Sequence, residues 1–370
     1  MKADWYTINN AAEIDSPSLI IYSDRVKSNI KLLKTFVLDT GQLRPHIKTH
    51  KCPEVIRLML EAGLTKFKCA TIAEAEILAK EGAKDVLLAY QPLGPKAERF
   101  CQLQRLFVGT IFSCLIDNEK TLADLSTIAS GHHLTIRVFL DLNVGMNRTG
   151  ITPGQEALAL YQKAIHTKGI DIIGLHAYDG HLRDADLQVR TRKCNEAFLP
   201  VIQLQNEIKK ITGRLPLIVA GGTPTFPIHA QNKNVECSPG TFIFWDKGYE
   251  NILAEQPFQF AALVMTRIIS KPDNETICVD LGHKSIASEN ALSNRVYFLN
   301  APELEPIGHS EEHMVFKTVK HNVYQVGDVL YGIPHHICPT VALYDVASVC
   351  SGNTCLERWD ISARKRTVTI

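Results

Sequence analysis

The sequence predicts an α/β protein, a (β/α)8 TIM-like barrel with a second, mostly β C-terminal domain. Up to about residue 240, short β-rich runs alternate with helical patterns in units of about 25 to 30 residues. No G-x-G-x-x-G follows the first strand, which disfavours a dinucleotide-binding open sheet. From about residue 258 the helical periodicity fades into short β-rich runs separated by turn residues. A chain of 370 residues is long for one core and suits two domains. They are expected at 15–245 for the barrel, and at 1–14 with 246–370 for the β-rich domain.

The barrel strands are expected at 18–22, 43–48, 67–71, 85–90, 110–116, 134–142, 170–176 and 217–220. Helices are expected between them, at 24–38, 52–62, 72–81, 96–106, 119–129, 154–166 and 186–211. The later β-rich runs are 261–270, 276–281, 295–299, 314–319 and 341–349, read together with the N-terminal segment 5–9 as one domain. Active sites of such barrels lie at the C-terminal ends of the strands. The ends after residues 43–48, 170–176 and 217–220 therefore carry the chemistry.

Bulk properties exclude several function classes. Hydrophobic residues make up 45% and charged residues 21%, with a net charge of +1, so nothing points to a polyanion partner. No apolar run approaches the roughly 18 residues that span a bilayer. No apolar signal region follows Met1, so a cytoplasmic location is expected. The ten cysteines are scattered without a C-x-x-C pair, which argues against a zinc ribbon and for mostly buried thiols.

Arg44-Pro45-His46-Ile47-Lys48-Thr49-His50-Lys51 places a lysine at a strand end between two histidines. Such a lysine forms an imine with a carbonyl when its environment lowers its pKa. As a local motif alone, the run also reads as a basic surface turn. Gly221-Gly222-Thr223-Pro224-Thr225 follows a strand and suits an anion such as a phosphate, and Ser238-Pro239-Gly240-Thr241 offers a second such turn. In Asp141 to Gly150, Arg148 can reach a phenolate or carboxylate, or simply pair with Asp141. In His176-Ala177-Tyr178-Asp179-Gly180-His181, His176 can pack flat on a planar ring and His181 can act as a general base. His336-Ile337-Cys338 is expected in an extended segment, where residues two apart face one side and make a two-point grip on a divalent metal. The soft thiolate favours zinc over magnesium or calcium, and His335 offers an alternative to His336. The cluster from His309 to His313 reads as a solvated loop.

Together these stretches resemble the D-threonine aldolase and D-serine dehydratase group of pyridoxal-phosphate enzymes, which share the alanine-racemase-like fold. The resemblance runs from about Asp15 to Asp345. Its most specific parts are R-P-H-x-K-T-H-K, the segment from Cys69 to Glu76, Gly180-His181, Gly221-Gly222-Thr223 and the late H-x-C. It implies pyridoxal 5'-phosphate, a divalent metal (zinc, manganese or magnesium), a D-amino acid substrate and a homodimer. Lys48 matches the lysine that attaches the cofactor. Arg148, His176 and Tyr178 match positions near the ring, and Gly222, Thr223, Gly240 and Thr241 match the phosphate cradle. His181 matches the base for the substrate β-hydroxyl, and His336 with Cys338 the metal pair. Alanine racemases carry arginine where this chain has Ser238, which disfavours simple racemisation and leaves the partner of the pyridine nitrogen unidentified.

The expected reaction is metal-assisted retro-aldol cleavage of a D-β-hydroxy-α-amino acid, with D-threonine giving glycine and acetaldehyde. The alternative is a D-serine dehydratase giving pyruvate and ammonia. Cys338 does not separate the two, because dehydratases use cysteine there and some aldolases use aspartate. A cofactor carrier without enzymatic activity resembles the barrel alone and does not account for the chain past residue 258.

Overall fold

A computed structural model describes residues 4–370. The chain forms two compact units. One comprises the described residues up to Leu32 together with Thr49–Val55 and Thr241–Arg364. The other comprises Leu33–Lys48, Ile56–Gly240 and Lys365–Ile370.

The second of these is an α/β barrel built on a seven-stranded parallel sheet. Its strands are Lys66–Cys69, Asp85–Leu88, Ile111–Ile116, Ile136–Leu142, Ile170–Ala177, Leu217–Ala220 and Val235–Cys237, paired in that order. The eighth position holds no regular strand. Leu43 bridges to Cys237 on one sheet edge and His46 bridges to Lys68 on the other. The Arg44 N–H donates to the Cys237 carbonyl at 2.8 Å and the Lys68 N–H to the Pro45 carbonyl at 2.9 Å. Pro45 lacks a backbone donor, so this segment cannot carry a full ladder. The expected strand at 43–48 is thus reduced to bridges, and Ile47–Thr49 is a 3-10 turn.

Two further expectations need correction. Ser18–Tyr22 is a strand, but it pairs antiparallel with Ala262–Ser270 and parallel with Val346–Ser351, outside the barrel. Val235–Cys237 takes the place left in the barrel count. It is only three residues long and follows a short helix, Phe226–His229, so its pattern was too brief to read.

Side chains of alternate strand residues fill the barrel. Leu87, Leu115, Phe139 and Val219 form an apolar cluster there. A charged layer accompanies it: Arg44 makes a bidentate contact with Asp85 at 2.7 and 2.9 Å, and its Nε donates to Glu236 at 2.7 Å. Lys66 also bonds Glu236. Local signals set the helix ends. Thr71 accepts from the Glu74 N–H at 3.1 Å while Glu74 accepts from the Ala70 N–H at 2.6 Å, a variant of the capping box. The long helix Leu187–Thr212 starts on Asp186 and ends at Gly213, whose φ of 72° is left-handed.

The other unit is mostly β. Its nine-stranded mixed sheet includes Ser18–Tyr22, Ala262–Ser270, Thr276–Val279, Val296–Phe298, Glu305–His309, Met314–Lys317, Val329–Pro334, Val346–Ser351 and Thr354–Asp360. Ile8, Ile20, Leu263, Met265 and Ile333 are among the residues of one core cluster, and Val279, Phe298, Met314 and Phe316 among those of another. Cys350 and Cys355 face one another across the last hairpin; of the other cysteines all but Cys338 are buried. No helix among the described residues is long and apolar enough to cross a membrane.

Candidate active site

In the barrel unit, the C-terminal ends of the strands gather most of the residues singled out from the sequence. Lys48 sits half-buried in the 3-10 turn that leaves the barrel-closing segment, and its N–H donates to His46 Nδ1 at 3.2 Å. His176, on the strand Ile170–Ala177, is buried, with Nδ1 held 2.6 Å from Asp141. Its Nε2 has no hydrogen-bond partner. Burial and the nearby Lys68 charge hold the His176 pKa below the usual histidine value, against the pull of Asp141. Burial opposes ionisation of Asp141, but hydrogen bonds from His176, Thr149 and Gln91 keep its pKa below the ordinary carboxylate range.

The Tyr178 ring is the hub of this group. The Arg148 guanidinium carbon lies 5.0 Å from its centroid and Lys68 Nζ 5.4 Å. A Cβ at Gly222 would stand 2.9 Å from the ring and one at Gly180 2.1 Å from the hydroxyl. Both glycines are therefore required by close approach. His181 is exposed and packs over Gly145, where an added Cβ would meet its Nε2 at 3.0 Å.

The two glycine-rich turns come together. The Ser238 N–H donates to the Gly221 carbonyl at 2.9 Å and the Gly240 N–H to Thr223 Oγ1 at 3.3 Å. Gly221 has a φ of 73°, and Ser238 Oγ is buried without a partner. Backbone N–H groups, a buried threonine and an unpartnered hydroxyl suit a phosphate. With the unpartnered His176 Nε2 and the Tyr178 ring, the residues present fit a planar, anionic cofactor such as pyridoxal 5'-phosphate.

Two features were missed in the sequence. Lys68 is only 4% exposed. Burial and the Lys48 charge bring its pKa down to about 7, with Asp141 and Asp179 pulling the other way. Asp179 anchors a buried network. It accepts from Thr225 Oγ1 at 2.6 Å and lies 2.7 Å from His229 Nε2, with the Cys194 thiol 3.3 Å from the same nitrogen. Asp179, Cys194 and His229 present donor atoms within 4.8 Å of one another and could hold a metal ion. Their atoms are already matched donor to acceptor, and burial raises the Cys194 thiol pKa, so the set also stands as a neutral-thiol hydrogen-bond network.

In the β-rich unit, His336 and Cys338 come together by a different route from the one expected. The extended segment ends at Pro334, and Ile337–Val341 is a short helix with His336 as its N-cap. Asp246 Oδ2 accepts from the Ile337 N–H at 3.2 Å at this helix start. His336 nevertheless hydrogen-bonds Cys338, and its Nδ1 lies 2.5 Å from Glu289. Burial lowers the His336 pKa, but Cys338 and Glu289 outweigh it and bring it to about 9. Cys338 Sγ lies 3.2 Å from Thr49 Oγ1 and 3.7 Å from Thr241 Oγ1, so Thr241 meets the thiol of the expected metal pair. An imidazole, a thiolate and a carboxylate behind the imidazole suit a divalent cation. His309 instead bonds Arg295, at 2.5 Å. Asp280 is tied to Ser16 at 2.5 Å and to Thr266, in a structural role.

Comparisons with known proteins agree with this architecture. Residues 21–247 match the family model described as alanine racemase, N-terminal domain, and residues 261–350 match one described as putative serine dehydratase domain. The chain is 27% identical over 360 residues to a D-threonine aldolase of Arthrobacter sp, covering 95% of this chain and 93% of that protein. It is 25% identical over 366 residues to a 3-hydroxy-D-aspartate aldolase of Paracoccus denitrificans (strain Pd 1222), with the same two coverages, 95% and 93%. The crystal structure of D-threonine aldolase from Filomicrobium marinum superposes with a TM-score of 0.88 at 25% identity, covering 98% of this chain and 99% of that one. With more than half of its length matched by the first model, the chain belongs to the alanine racemase N-terminal domain family.

Proposed function

We propose that the protein is a pyridoxal-phosphate- and divalent-metal-dependent lyase that cleaves D-β-hydroxy-α-amino acids by retro-aldol chemistry, with D-threonine giving glycine and acetaldehyde. The observation that carries this reading is the convergence of Arg148, Lys68 and Gly222 on the Tyr178 ring, with Lys48 close enough to Lys68 to shift its protonation. The aldolase relatives, matched over 95% of the chain, support the choice of bond.

When bound, pyridoxal 5'-phosphate supplies an electron sink and the divalent cation a Lewis acid for the β-oxygen. Lys48 would supply the amine that holds the cofactor. Gly222 and Thr223 would offer donors to the phosphate, with the Gly240 N–H bracing the Thr223 hydroxyl. Arg148, His176 and Tyr178 would orient the ring, with burial disfavouring the charged form of His176 and Asp141 steering its ring. His181, exposed at the end of its loop, takes the proton from the substrate β-hydroxyl. His336 and Cys338 would hold the cation.

A second reading, dehydration of a D-β-hydroxy amino acid such as D-serine, is supported by the match of residues 261–350. Lys48 would then remove the α-proton, and the β-hydroxyl would leave. The test is a product assay on D-threonine and D-serine with several divalent metals, in wild type and Lys48→Ala. Glycine with acetaldehyde supports the aldolase. Pyruvate and ammonia without glycine sink it, and no turnover of any D-amino acid would return the chain to a cofactor carrier. The reading also carries a homodimer and a cytoplasmic location, which sedimentation and cell fractionation check.

A further inference from the structure

We infer that Lys68 is a cofactor-recognition residue, a lysine in the barrel interior whose ammonium opposes the negative charge of the bound ring phosphate; the inference rests on the pyridoxal-phosphate reading above. Lys68 follows Phe67 in the edge strand Lys66–Cys69 and shares a strand face with Lys66. Its register partner on the next strand is Leu87, a member of the apolar cluster inside the barrel. The side chain is thus held in the interior, 4% exposed.

Lysine is almost never buried this far without a partner, since an uncompensated ammonium is costly to desolvate. Among the described residues no carboxylate lies within ion-pair distance of Lys68 Nζ. Asp141 and Asp179 feel its charge from farther away, but their oxygens are bound to His176 and Gln91, and to Thr225 and His229. The other charges acting on it are cationic, Lys48 from the barrel-closing segment and Arg148 from the loop after Ile136–Leu142. On the two elements that flank its strand, Arg44 and Asp85 are bound to each other. The site therefore gathers three basic side chains, and its two carboxylates are already engaged. An anion is the missing complement, and the Tyr178 ring 5.4 Å away gives it an aromatic neighbour.

A consequence follows for protons. With its pKa at about 7, Lys68 is largely neutral just above neutrality. An arriving anion favours the charged form and raises that pKa, so binding takes up a proton.

The test avoids turnover. The full-length chain, stripped of cofactor, is titrated calorimetrically with pyridoxine 5'-phosphate at pH 7.5 in two buffers of different ionisation enthalpy. This ring phosphate has no aldehyde and cannot condense with Lys48. Wild type should take up about 0.7 proton more than Lys68→Met and bind about tenfold or more tightly. Lys68→Arg, which stays charged, should bind without that extra uptake and so separates charge from loss of the fold. Wild-type uptake should also grow between pH 6.5 and 8, a measurement that needs no variant. Equal affinity and equal proton counts in wild type and Lys68→Met would overturn the inference while leaving the cofactor reading intact. If wild type binds neither pyridoxine 5'-phosphate nor pyridoxal 5'-phosphate, the cofactor reading fails and the role of Lys68 falls with it.

Discussion

The Thr225 hydroxyl donates to Asp179 Oδ1 at 2.6 Å, tying the turn that begins at Gly221 to the loop that carries Tyr178 and His181. His229, on the helix that follows the same turn, holds the other carboxylate oxygen. Burial opposes the Asp179 charge, but the His229 and Thr225 hydrogen bonds keep its pKa below the usual carboxylate value. Its contribution to stability is thus full above the unfolded pKa of about 3.9 and is lost as pH falls through the lower folded value. Asp179→Ala should cost about 3–5 kcal/mol in urea unfolding at pH 7, because it strands buried His229 and Thr225. Because the network supports both loops, Asp179→Asn should weaken cofactor binding even where it folds. Unchanged stability in Asp179→Ala would show the network to be dispensable.

Arg44 closes the barrel by charge as well as by backbone. It is 1% exposed and touches both Asp85 and Glu236. Arg44→Met would leave two carboxylates without their common cation and should destabilise the protein by about 3–5 kcal/mol, read by urea unfolding. The triple variant Arg44→Met, Asp85→Leu, Glu236→Leu should recover part of that loss. If the single and triple variants unfold alike, burial of charge is not the cause.

Tyr178 can be moved without altering it. Gly222→Ala drives a methyl to within 2.9 Å of its ring, and Gly180→Ala drives one to within 2.1 Å of its hydroxyl. Both atoms must shift, since real Cβ contacts are essentially never below 3.0 Å. Gly222→Ala should weaken pyridoxal 5'-phosphate binding about tenfold or more, with melting little changed, measured by the visible absorbance of bound cofactor. Unaltered binding in both variants would remove Tyr178 from the proposed cofactor site.

The parts legible in the sequence were those with a local signature. The lysine run, the glycine turn and the two histidines flanking Tyr178 announce themselves by residue type. Lys68 did not, because a single lysine in the expected strand 67–71 carries no local sign of burial. In a barrel the outer face packs on helices, so Phe67 and Cys69 bury outward and the lysines turn inward. Ser18–Tyr22 reads correctly as a strand, but its partners are more than 240 residues away in sequence, so local pattern could not assign its sheet. At His336 a helix cap replaces the extended run, yet the helix start keeps the His336 and Cys338 side chains within hydrogen-bond reach of one another.

Glu289 is a further partner invisible in the sequence. Its carboxylate lies 2.5 Å from His336 Nδ1, the relationship that orients a metal-ligating histidine. Glu289→Ala should lower divalent-metal affinity about 10–100-fold, measured by equilibrium dialysis with zinc. His336→Ala should lower it at least as much. Full metal retention in both would remove His336 from the proposed cation site.

His50, two residues past Lys48, has a role that its place in the basic run concealed. It is 1% exposed, with Nδ1 accepting from the Cys52 N–H at 3.2 Å and Nε2 without a partner. Burial, with the neighbouring Lys51 charge adding, lowers its pKa to about 3. The unfolded chain, with an ordinary histidine near 6.5, therefore binds the proton first on acidification. The stability this neutral ring contributes is full above about pH 6.5 and is lost progressively as pH falls toward 3. Between pH 7 and pH 4 the loss is about 3 kcal/mol. His50→Asn keeps an acceptor for Cys52 and removes the titration. Urea unfolding at pH 7, 5 and 4 should then show wild type losing about 3 kcal/mol more than the variant, since the carboxylates titrate in both. If the two stability curves run parallel across that range, His50 takes up its proton in the folded state and the burial argument is wrong.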